Sequence, residues 1–312
     1  MLTRDTFTGP WAGLPVAWTD DDKFDEATYR SDIARCCKAG VPGVYSGGTT
    51  GEFYAMEFDE FEAIARATVE ECHSRGKPAM IGCSSTYTLG VQRRAAVAAE
   101  IGADAIQVAL PFWMEIGAAQ IVPFFRQVSD AADGMPLSIY ETTRSKVTLD
   151  LDQHRAIHAA VPSYMMVKSN SGTLGSTPEG CEALSRIVNV FVGENSWASL
   201  GPRNAKGGCS SMVYWNPRVF LSLWKDVENG DWDTVNVVHE RIAGLMAFLP
   251  EFSAKGFTDT AFDRLGGLAS GFLKTSLRSR GPYPSVTKED IDKFRRWCVE
   301  HFPQLLDLGD DE

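Results

Sequence analysis

Short, continuously apolar runs alternate with longer amphipathic stretches along most of the chain. Eight of these runs are predicted strands: Leu14–Trp18, Gly43–Ser46, Ala79–Gly82, Ala105–Ala109, Leu137–Tyr140, Tyr164–Lys168, Val190–Gly193 and Cys209–Val213. Most of them are apolar at every position rather than at every second position. That pattern is typical of strands that are buried on both faces of a parallel sheet.

The stretches between these strands carry the spacing of helices. After the second predicted strand, apolar residues recur three or four positions apart, at Phe58, Phe61, Ala65, Val69 and Cys72. This spacing places them on one face of a helix. Eight strands that alternate with helices predict an α/β fold, a (β/α)8 TIM barrel, which we assign to residues 1–230 as the catalytic domain.

Beyond the last predicted strand the chain shows only helical patterns. Three helices are predicted, over Asp231–Phe248, Phe252–Phe272 and Thr287–Phe302. Thr287 and Asp290 have the spacing of a capping box, which marks the start of the third helix. We therefore predict a C-terminal three-helix extension over residues 231–312 that packs on the barrel.

The net charge of the chain limits the classes of macromolecule that it is expected to bind. The 312 residues include 30 basic and 41 acidic side chains, a formal net charge of −11, and no basic cluster. Such a surface does not attract nucleic acid or anionic membranes, so neither is an expected partner. No apolar run approaches the length of about 18 residues that a membrane span needs, and the first residues lack the apolar core of a signal peptide.

The seven cysteines are odd in number and scattered along the chain, mostly in apolar contexts. Free cysteine in such contexts packs as a small apolar side chain. No CxxC pair indicates a zinc site. The pattern predicts reduced thiols and a cytoplasmic protein.

Lys168 ends the apolar run that begins at Tyr164. In barrels of this kind the chemistry lies at the C-terminal ends of the strands. A lysine there faces a low-dielectric interior, which favours the neutral amine over the ammonium. A neutral amine attacks a carbonyl to form a Schiff base, an electron sink for cleavage of C–C or C–O bonds. The alternative is a lysine that only extends to solvent at the barrel rim.

Tyr140 ends the neighbouring predicted strand, so its hydroxyl is expected near the amine of Lys168. A phenol in that place carries protons to and from a substrate. The alternative is an ordinary tyrosine that reaches from the core to the rim.

A glycine-rich turn, GGTTGE at Gly47–Glu52, follows the second predicted strand. It lacks the Lys-Ser/Thr of a P-loop and the spacing of GxGxxG, so a nucleotide is not its expected ligand. Thr49 and Thr50 offer hydroxyl and backbone N–H donors that suit a small carboxylate. Gly47, Gly48 and Gly51 permit the tight turn, and a turn that is glycine-rich only for this conformational reason is the alternative.

Other candidate groups are less suited to this chemistry. Lys146 lies in a predicted loop, Lys206 before strand eight at the opposite end of the barrel, and Lys255 in the helical tail. His154 and His158 share one helical face, but the sequence offers no third ligand nearby. We therefore predict no metal, and a zinc-dependent aldolase is not expected.

These motifs together carry a family resemblance. The chain resembles the class I, Schiff-base aldolases of the dihydrodipicolinate synthase and N-acetylneuraminate lyase family. The matching pieces are GTTGE at Gly48–Glu52, IY ending at Tyr140, VK ending at Lys168, and FVGEN at Phe191–Asn195. The 28-residue separation of the tyrosine and the lysine, the strand order and the helical tail also match.

The resemblance implies a role for each matching residue. Lys168 would form an imine with the C2 carbonyl of pyruvate or another 2-oxo acid, and Tyr140 would carry protons. Thr49, in a proton relay, and Thr50 would bind the C1 carboxylate through hydroxyl and amide donors. Further substrate contacts would come from the turn and the later strands, at Gly48, Gly193 and Ser210. The covalent imine makes a cofactor unnecessary, and the assembly implied is a homotetramer or homodimer.

Three positions depart from the synthase branch of the family. Trp113, in ALPFWME, stands where that branch has a relay tyrosine, and an indole N–H does not carry protons as a phenol does. Glu141 stands where an asparagine usually follows the catalytic tyrosine. Ser145 replaces an arginine that binds the second substrate, although Arg144 and Lys146 flank it. Trp113, Glu141 and Arg144 are therefore candidate residues of the acceptor side.

Several activities remain open at this point. The first is a lyase or aldolase that makes or breaks a C–C bond between a 2-oxo acid and an aldehyde, and LPFW resembles the hydratase-aldolases of aromatic degradation. The others are a 2-keto-3-deoxy sugar acid dehydratase, a 4-hydroxy-tetrahydrodipicolinate synthase, and a ketoacid-binding paralogue without catalytic activity.

Overall fold

The strands of the protein form a closed parallel barrel. The computed structural model describes residues 2–309; residue 1 of the predicted barrel domain and residues 310–312 of the predicted extension lie outside that range. The strands pair in sequence order from β1 to β8. They are β1 Gly9–Gly13, β2 Val44–Ser46, β3 Ala79–Gly82, β4 Ala105–Val108, β5 Leu137–Glu141, β6 Tyr164–Ser169, β7 Asn189–Phe191 and β8 Ala205–Ser210. The predicted (β/α)8 TIM barrel is confirmed.

Helices alternate with these strands, and three further helices follow. They are α1 Glu26–Ala39, α2 Phe58–Ser74, α3 Thr88–Glu100, α4 Ala118–Ala131, α5 Leu151–Ala160, α6 Pro178–Ser185, α7 Trp197–Leu200, α8 Pro217–Asn229, α9 Trp232–Phe248, α10 Asp259–Ser270 and α11 Lys288–His301. The apolar face predicted for α2 is the face that it buries, because Phe61, Ala65, Val69 and Cys72 are all buried there.

The first and last strands lie earlier in the chain than predicted. The apolar run Leu14–Trp18 follows β1 instead of forming it, since Pro15 has no N–H to donate to a strand partner. β8 begins at Ala205 rather than Cys209, because close backbone contact selects glycines there and removes the apolar signal. A Cβ at Gly207 would lie 2.2 Å from the carbonyl oxygen of Gly9.

Three helices follow α8, as predicted, but the middle one is shorter. The segment predicted as Phe252–Phe272 is a helix only from Asp259. A 3-10 helix over Leu249–Lys255 precedes it and ends at Gly256, whose φ of 75° breaks the helical run. The capping box at the start of α11 is confirmed, since Thr287 and Asp290 each bond to the other's backbone N–H.

The chain divides into two compact units. The first unit consists of residues 2–9 and 78–209, and it contains β3 to β7 and most of β8. The second unit consists of residues 10–77 and 210–309, and it contains β2, most of β1 and helices α8 to α11. The helices of the predicted extension thus belong to one unit with the segments around the first two strands.

Two global features concern the whole described chain. No helix within residues 2–309 is both long enough and apolar enough to cross a membrane. All seven cysteines are free thiols.

Candidate active site

Lys168 and Tyr140 are side by side on neighbouring strands of the first unit. They are partners in the register of β5 and β6. The Lys168 Nζ lies 4.4 Å from the centroid of the Tyr140 ring. Tyr140 is buried, while Lys168 keeps partial access to solvent. The structure thus places an amine and a phenol side by side at the C-terminal ends of two strands, as the sequence predicted.

Asn170 completes this pair and was not predicted from the sequence. Its Nδ2 donates a hydrogen bond of 3.0 Å to the phenol oxygen of Tyr140. This hydrogen bond orients the phenol, and because the amide is the donor, the phenolic proton is not used in it. The signal that could have identified Asn170 is its position two residues after Lys168 and directly after the end of β6, because side chains two apart in extended backbone share a face.

Glu141 lies on the opposite face of β5 from Tyr140. Its Oε1 accepts a hydrogen bond of 2.8 Å from the Leu149 backbone N–H, and its Oε2 lies 3.4 Å from His154 Nε2 on α5. Both side chains are buried. This placement argues against the predicted substrate-binding role of Glu141, since strand alternation turns its carboxylate toward the helix layer.

A polar cluster of the first unit includes a thiol near Lys168. Gln107 Nε2 donates to Ser138 Oγ at 3.0 Å and approaches Cys209 Sγ at 3.5 Å. Burial raises the pKa of the Cys209 thiol, and the nearby Lys168 ammonium acts in the opposite direction. Cys209 is therefore a mostly neutral thiol beside Lys168.

The threonine turn of the second unit, residues 47–52, is tight. The Glu52 backbone N–H bonds to the Thr49 carbonyl at 3.0 Å, and Phe53 N–H bonds to the Gly48 carbonyl at 3.3 Å. A Cβ on Gly48 would lie 2.2 Å from the Tyr45 hydroxyl oxygen, so only glycine fits there. Thr49 and Thr50 are both half-buried.

Two side chains of this turn contact α10. The Thr50 hydroxyl donates a hydrogen bond of 2.5 Å to Asp263 Oδ2. Glu52 Oε1 accepts from Thr260 Oγ1 at 3.0 Å and pairs with Arg264 NH1 at 3.2 Å. Burial lowers the pKa of the Arg264 guanidinium, and the Glu52 carboxylate opposes that shift.

The predicted acceptor-side residues lie in two loops of the first unit. Trp113 is 73% exposed, and its carbonyl accepts a hydrogen bond of 2.7 Å from Lys146 Nζ. Arg144 is exposed on a 3-10 turn. Ser145, where the synthase branch has its arginine, is buried and donates to the Leu110 carbonyl at 3.3 Å. Of the predicted acceptor-side residues, Trp113 and Arg144 are accessible to a ligand, whereas Glu141 is buried.

Gly193 and Ser210 lie at the ends of β7 and β8. Gly193 is exposed and precedes the 3-10 turn Glu194–Ser196. Ser210 is buried, and its hydroxyl accepts a hydrogen bond of 2.9 Å from the Val213 backbone N–H. The side chain of Ser210 thus holds the following turn, and its backbone is the part left to contact a substrate.

The histidines and the rival lysines have other surroundings. His154 Nδ1 lies 2.9 Å from the Tyr164 hydroxyl, and burial raises the pKa of that phenol. His158 Nδ1 lies 3.2 Å from the Tyr164 carbonyl oxygen. Within residues 2–309, no cluster of three or more His, Cys, Asp or Glu side chains could hold a metal ion. Lys255 pairs with Asp290.

Comparison with known proteins gives one family. The model of the dihydrodipicolinate synthetase family matches residues 6–297. An N-acetylneuraminate lyase of Enterobacter sp. (strain 638) is 30% identical over 227 residues, which cover 72% of this chain and 75% of the relative. A 4-hydroxy-tetrahydrodipicolinate synthase of Methanospirillum hungatei is 26% identical over 228 residues, covering 69% and 74%.

Solved structures show the same fold. YagE, a prophage protein of E. coli K12 that belongs to the dihydrodipicolinic acid synthase family, was crystallised in complex with pyruvate. It superposes with a TM-score of 0.85 at 19% identity, over 94% of this chain and 98% of YagE. At this identity the likeness shows the barrel fold alone.

Proposed function

Because the chain belongs to the dihydrodipicolinate synthetase family, we propose that it is an aldolase-type lyase that forms a Schiff base between Lys168 and a 2-oxo acid. Pyruvate is the smallest 2-oxo acid that has a C3 carbon, and YagE of the same family binds pyruvate in its crystal structure. The enzyme makes or breaks a C–C bond between the ketoacid and an aldehyde.

One observation carries this proposal: the placement of Lys168 against Tyr140. The amine lies 4.4 Å from the ring centroid, and Asn170 donates to the phenol oxygen at 3.0 Å. Imine chemistry needs a nucleophilic amine and a proton carrier within reach of the same carbonyl. The strand register supplies both without any strained backbone at either residue.

The chemistry then follows from these groups. The neutral amine of Lys168 attacks the C2 carbonyl, water leaves, and a protonated imine forms. This imine withdraws electrons from C3, so that a bond between C3 and an aldehyde carbon forms or breaks. Tyr140 transfers the protons that these steps release and consume. The imine is itself the electron sink, and the reaction requires no resident cofactor.

The remaining ketoacid contacts are assigned through the family resemblance. Thr49 and Thr50 bind the C1 carboxylate, and Gly193 and the Ser210 backbone contact the rest of the ketoacid. The glycine-rich turn supports this assignment, because backbone N–H groups in a tight turn suit a small anion.

The acceptor is an aldehyde other than the second substrate of the synthase branch. Ser145 supports this choice, because it carries no charge and donates to a backbone carbonyl at the position where that branch has arginine. The exposed Trp113 offers an aromatic face to a large acceptor. The 30% identity to an N-acetylneuraminate lyase also favours C–C cleavage over the synthase reaction.

Borohydride trapping tests the lysine directly. The protein is incubated with pyruvate and sodium borohydride, and its peptides are analysed by mass. We expect one reduced pyruvate adduct, on the peptide that contains Lys168. A Lys168→Arg variant keeps the positive charge but cannot form the imine, so it gives no adduct. Lys206 lies at the start of β8, away from the C-terminal strand ends where the proposed chemistry takes place. A Lys206→Arg variant should therefore trap pyruvate like the wild type.

Failure to trap pyruvate or any other 2-oxo acid on Lys168 would overturn the proposal. Reversible ketoacid binding without an adduct would indicate a binding protein that has lost its catalytic activity. A screen of aldehydes and of 2-keto-3-deoxy sugar acids then separates an aldolase from a dehydratase, since both would trap the same lysine.

A further inference from the structure

We propose that Asp263, on α10, and Glu52, in the threonine turn itself, are positioning residues that attach this turn to α10. Thr50 then binds the ketoacid through its backbone rather than its hydroxyl. This assignment rests on the proposed function, in which the turn receives the ketoacid carboxylate. It makes the C-terminal helices part of the substrate-binding apparatus.

The first argument concerns the single proton of the Thr50 hydroxyl. That proton is donated to Asp263 Oδ2 over 2.5 Å, and Asp263 is only 7% exposed. A substrate carboxylate has acceptor atoms only, so it needs a donor. With its proton directed to Asp263, the hydroxyl presents lone pairs to the rest of its surroundings, and the backbone N–H groups of the turn are the donors that remain.

The second argument concerns the backbone of Glu52. Its φ of 56° lies in the left-handed region, which is unfavourable for a non-glycine residue and persists only where other contacts enforce it. Those contacts are present. Besides Thr260 and Arg264, the Trp18 Nε1–H donates to Glu52 Oε2, and the carboxylate is 1% exposed. The side chain of Glu52 therefore sets the conformation of the turn.

The third argument is that α10 is itself fixed. Arg264 NH2 donates to the Val16 carbonyl at 2.6 Å, and Trp215 Nε1 donates to the Asp263 carbonyl at 3.0 Å. The helix is thus attached to the segment after β1 and to the segment after β8. A fixed helix gives the turn a rigid support, as a pre-organised anion site requires.

The test is a double-substitution cycle on Thr50 and Asp263. Thr50→Val removes the hydrogen bond with little change of volume, Asp263→Leu removes it by replacing the carboxylate with a larger apolar side chain, and Asp263→Asn keeps both the volume and an acceptor for the threonine. The readout is the pyruvate concentration that gives half-maximal borohydride trapping, together with the trapping rate at saturation.

We expect each single substitution to raise the half-saturating pyruvate concentration about tenfold, the scale of one hydrogen bond to a charged group. The saturated rate should change little. The double variant should match the single ones, because both remove one interaction. Asp263→Asn should restore values near the wild type, and Asp292→Asn, an exposed carboxylate of α11, should have no effect.

Other outcomes contradict the assignment. If the Thr50 hydroxyl donated to the substrate, Asp263→Leu would leave or lower the half-saturating concentration, and the effect of Thr50→Val would be independent of it. Thermal unfolding measures whether each variant is folded. The cycle uses Asp263 rather than Glu52, because Glu52→Gln would leave the Arg264 guanidinium buried beside a neutral partner. A wild type without an adduct overturns the proposed function and this assignment with it, whereas normal wild-type trapping with an unaffected Asp263→Leu variant overturns the assignment alone.

Discussion

At the level of single residues, the proposed mechanism gives Lys168 and Tyr140 separate roles. In that mechanism the amine is the nucleophile and the phenol is the proton carrier. The amine lies 4.4 Å from the ring centroid, and Asn170 donates a hydrogen bond of 3.0 Å to the phenol oxygen. Cys209 adds a neutral neighbour, since burial keeps its thiol protonated. Each group thus has a separate role, and separate substitutions distinguish those roles.

Tyr140→Phe removes the proton carrier and leaves the nucleophile. We expect turnover with an accepted aldehyde to fall by about 10²- to 10⁴-fold, the usual contribution of a positioned acid or base. The ring that contacts Lys168 remains, so the adduct with pyruvate still accumulates on the lysine at equilibrium. Steady-state turnover and mass analysis of the trapped protein measure the two effects.

Asn170→Leu is the comparison for that variant. It keeps the phenol but removes the hydrogen bond that orients it, so its loss of turnover should be smaller than that of Tyr140→Phe. A Tyr140→Phe variant with unchanged turnover would exclude Tyr140 as the proton carrier.

At the level of elements, the bounds of a strand are predicted best from the sequence where burial of apolar side chains alone determines them. β3 has the predicted bounds, and the apolar runs of β5 and β6 place Tyr140 and Lys168 at their strand ends. Prediction is wrong where backbone geometry decides, as in β8, whose Gly207 is selected by close contact with Gly9. Glu141 was predicted as an acceptor-side residue because it replaces the asparagine usual in the synthase branch, whereas strand alternation turns its carboxylate toward α5.

An element-level prediction concerns Asp32, which attaches α1 to the segment after α10. Its Oδ1 accepts a hydrogen bond of 2.8 Å from the Lys274 backbone N–H, and the side chain is 2% exposed. Burial raises the pKa of Asp32 to about 6, from 3.8, despite the opposing effect of the two backbone donors at Lys274 and Thr275.

The direction of the pH effect follows from this raised pKa. Between pH 4 and 6 the folded state holds a proton that the unfolded state has released, so the free energy of unfolding falls as pH rises through this window. Asp32→Asn cannot lose a proton. We therefore expect the stability of the variant relative to the wild type to increase from pH 4 to pH 7, by up to about 3 kcal/mol.

Urea unfolding of both proteins at several pH values measures this difference. Asp152→Asn serves as the matched control, because Asp152 is an exposed carboxylate on α5 and its removal should give a difference that does not change with pH in this way. A constant difference between wild type and Asp32→Asn would show that the Asp32 carboxyl titrates normally in the folded protein.

At the level of the whole molecule, the second unit joins segments that are far apart in sequence. Thr50 and Asp263 are separated by 213 positions, and Glu52 pairs with Arg264 across a similar distance. No periodicity or local motif reports such contacts, so the support of the threonine turn was not predictable from sequence. The turn motif itself was recognisable, because glycine spacing is a local property.

This arrangement predicts that a chain ending at residue 230 does not fold to the native state. Without α10, Glu52 loses Thr260 and Arg264, and an unpaired buried carboxylate costs about 3–5 kcal/mol. The apolar contacts of α9 to α11 are lost as well, against a total stability of only about 5–15 kcal/mol for a typical protein. Near-ultraviolet circular dichroism and urea unfolding, followed through the tryptophans, measure the loss of fixed packing.

Adding residues 231–312 as a separate chain should restore part of the near-ultraviolet signal, since the missing contacts are then supplied in trans. An unrelated helical peptide of similar charge should not restore it. A shortened chain that unfolds cooperatively near the full-length midpoint would instead mean that residues 1–230 fold as an independent barrel domain. The Glu52–Arg264 pair would then contribute little to stability, and the support of the threonine turn would have to lie within the barrel strands.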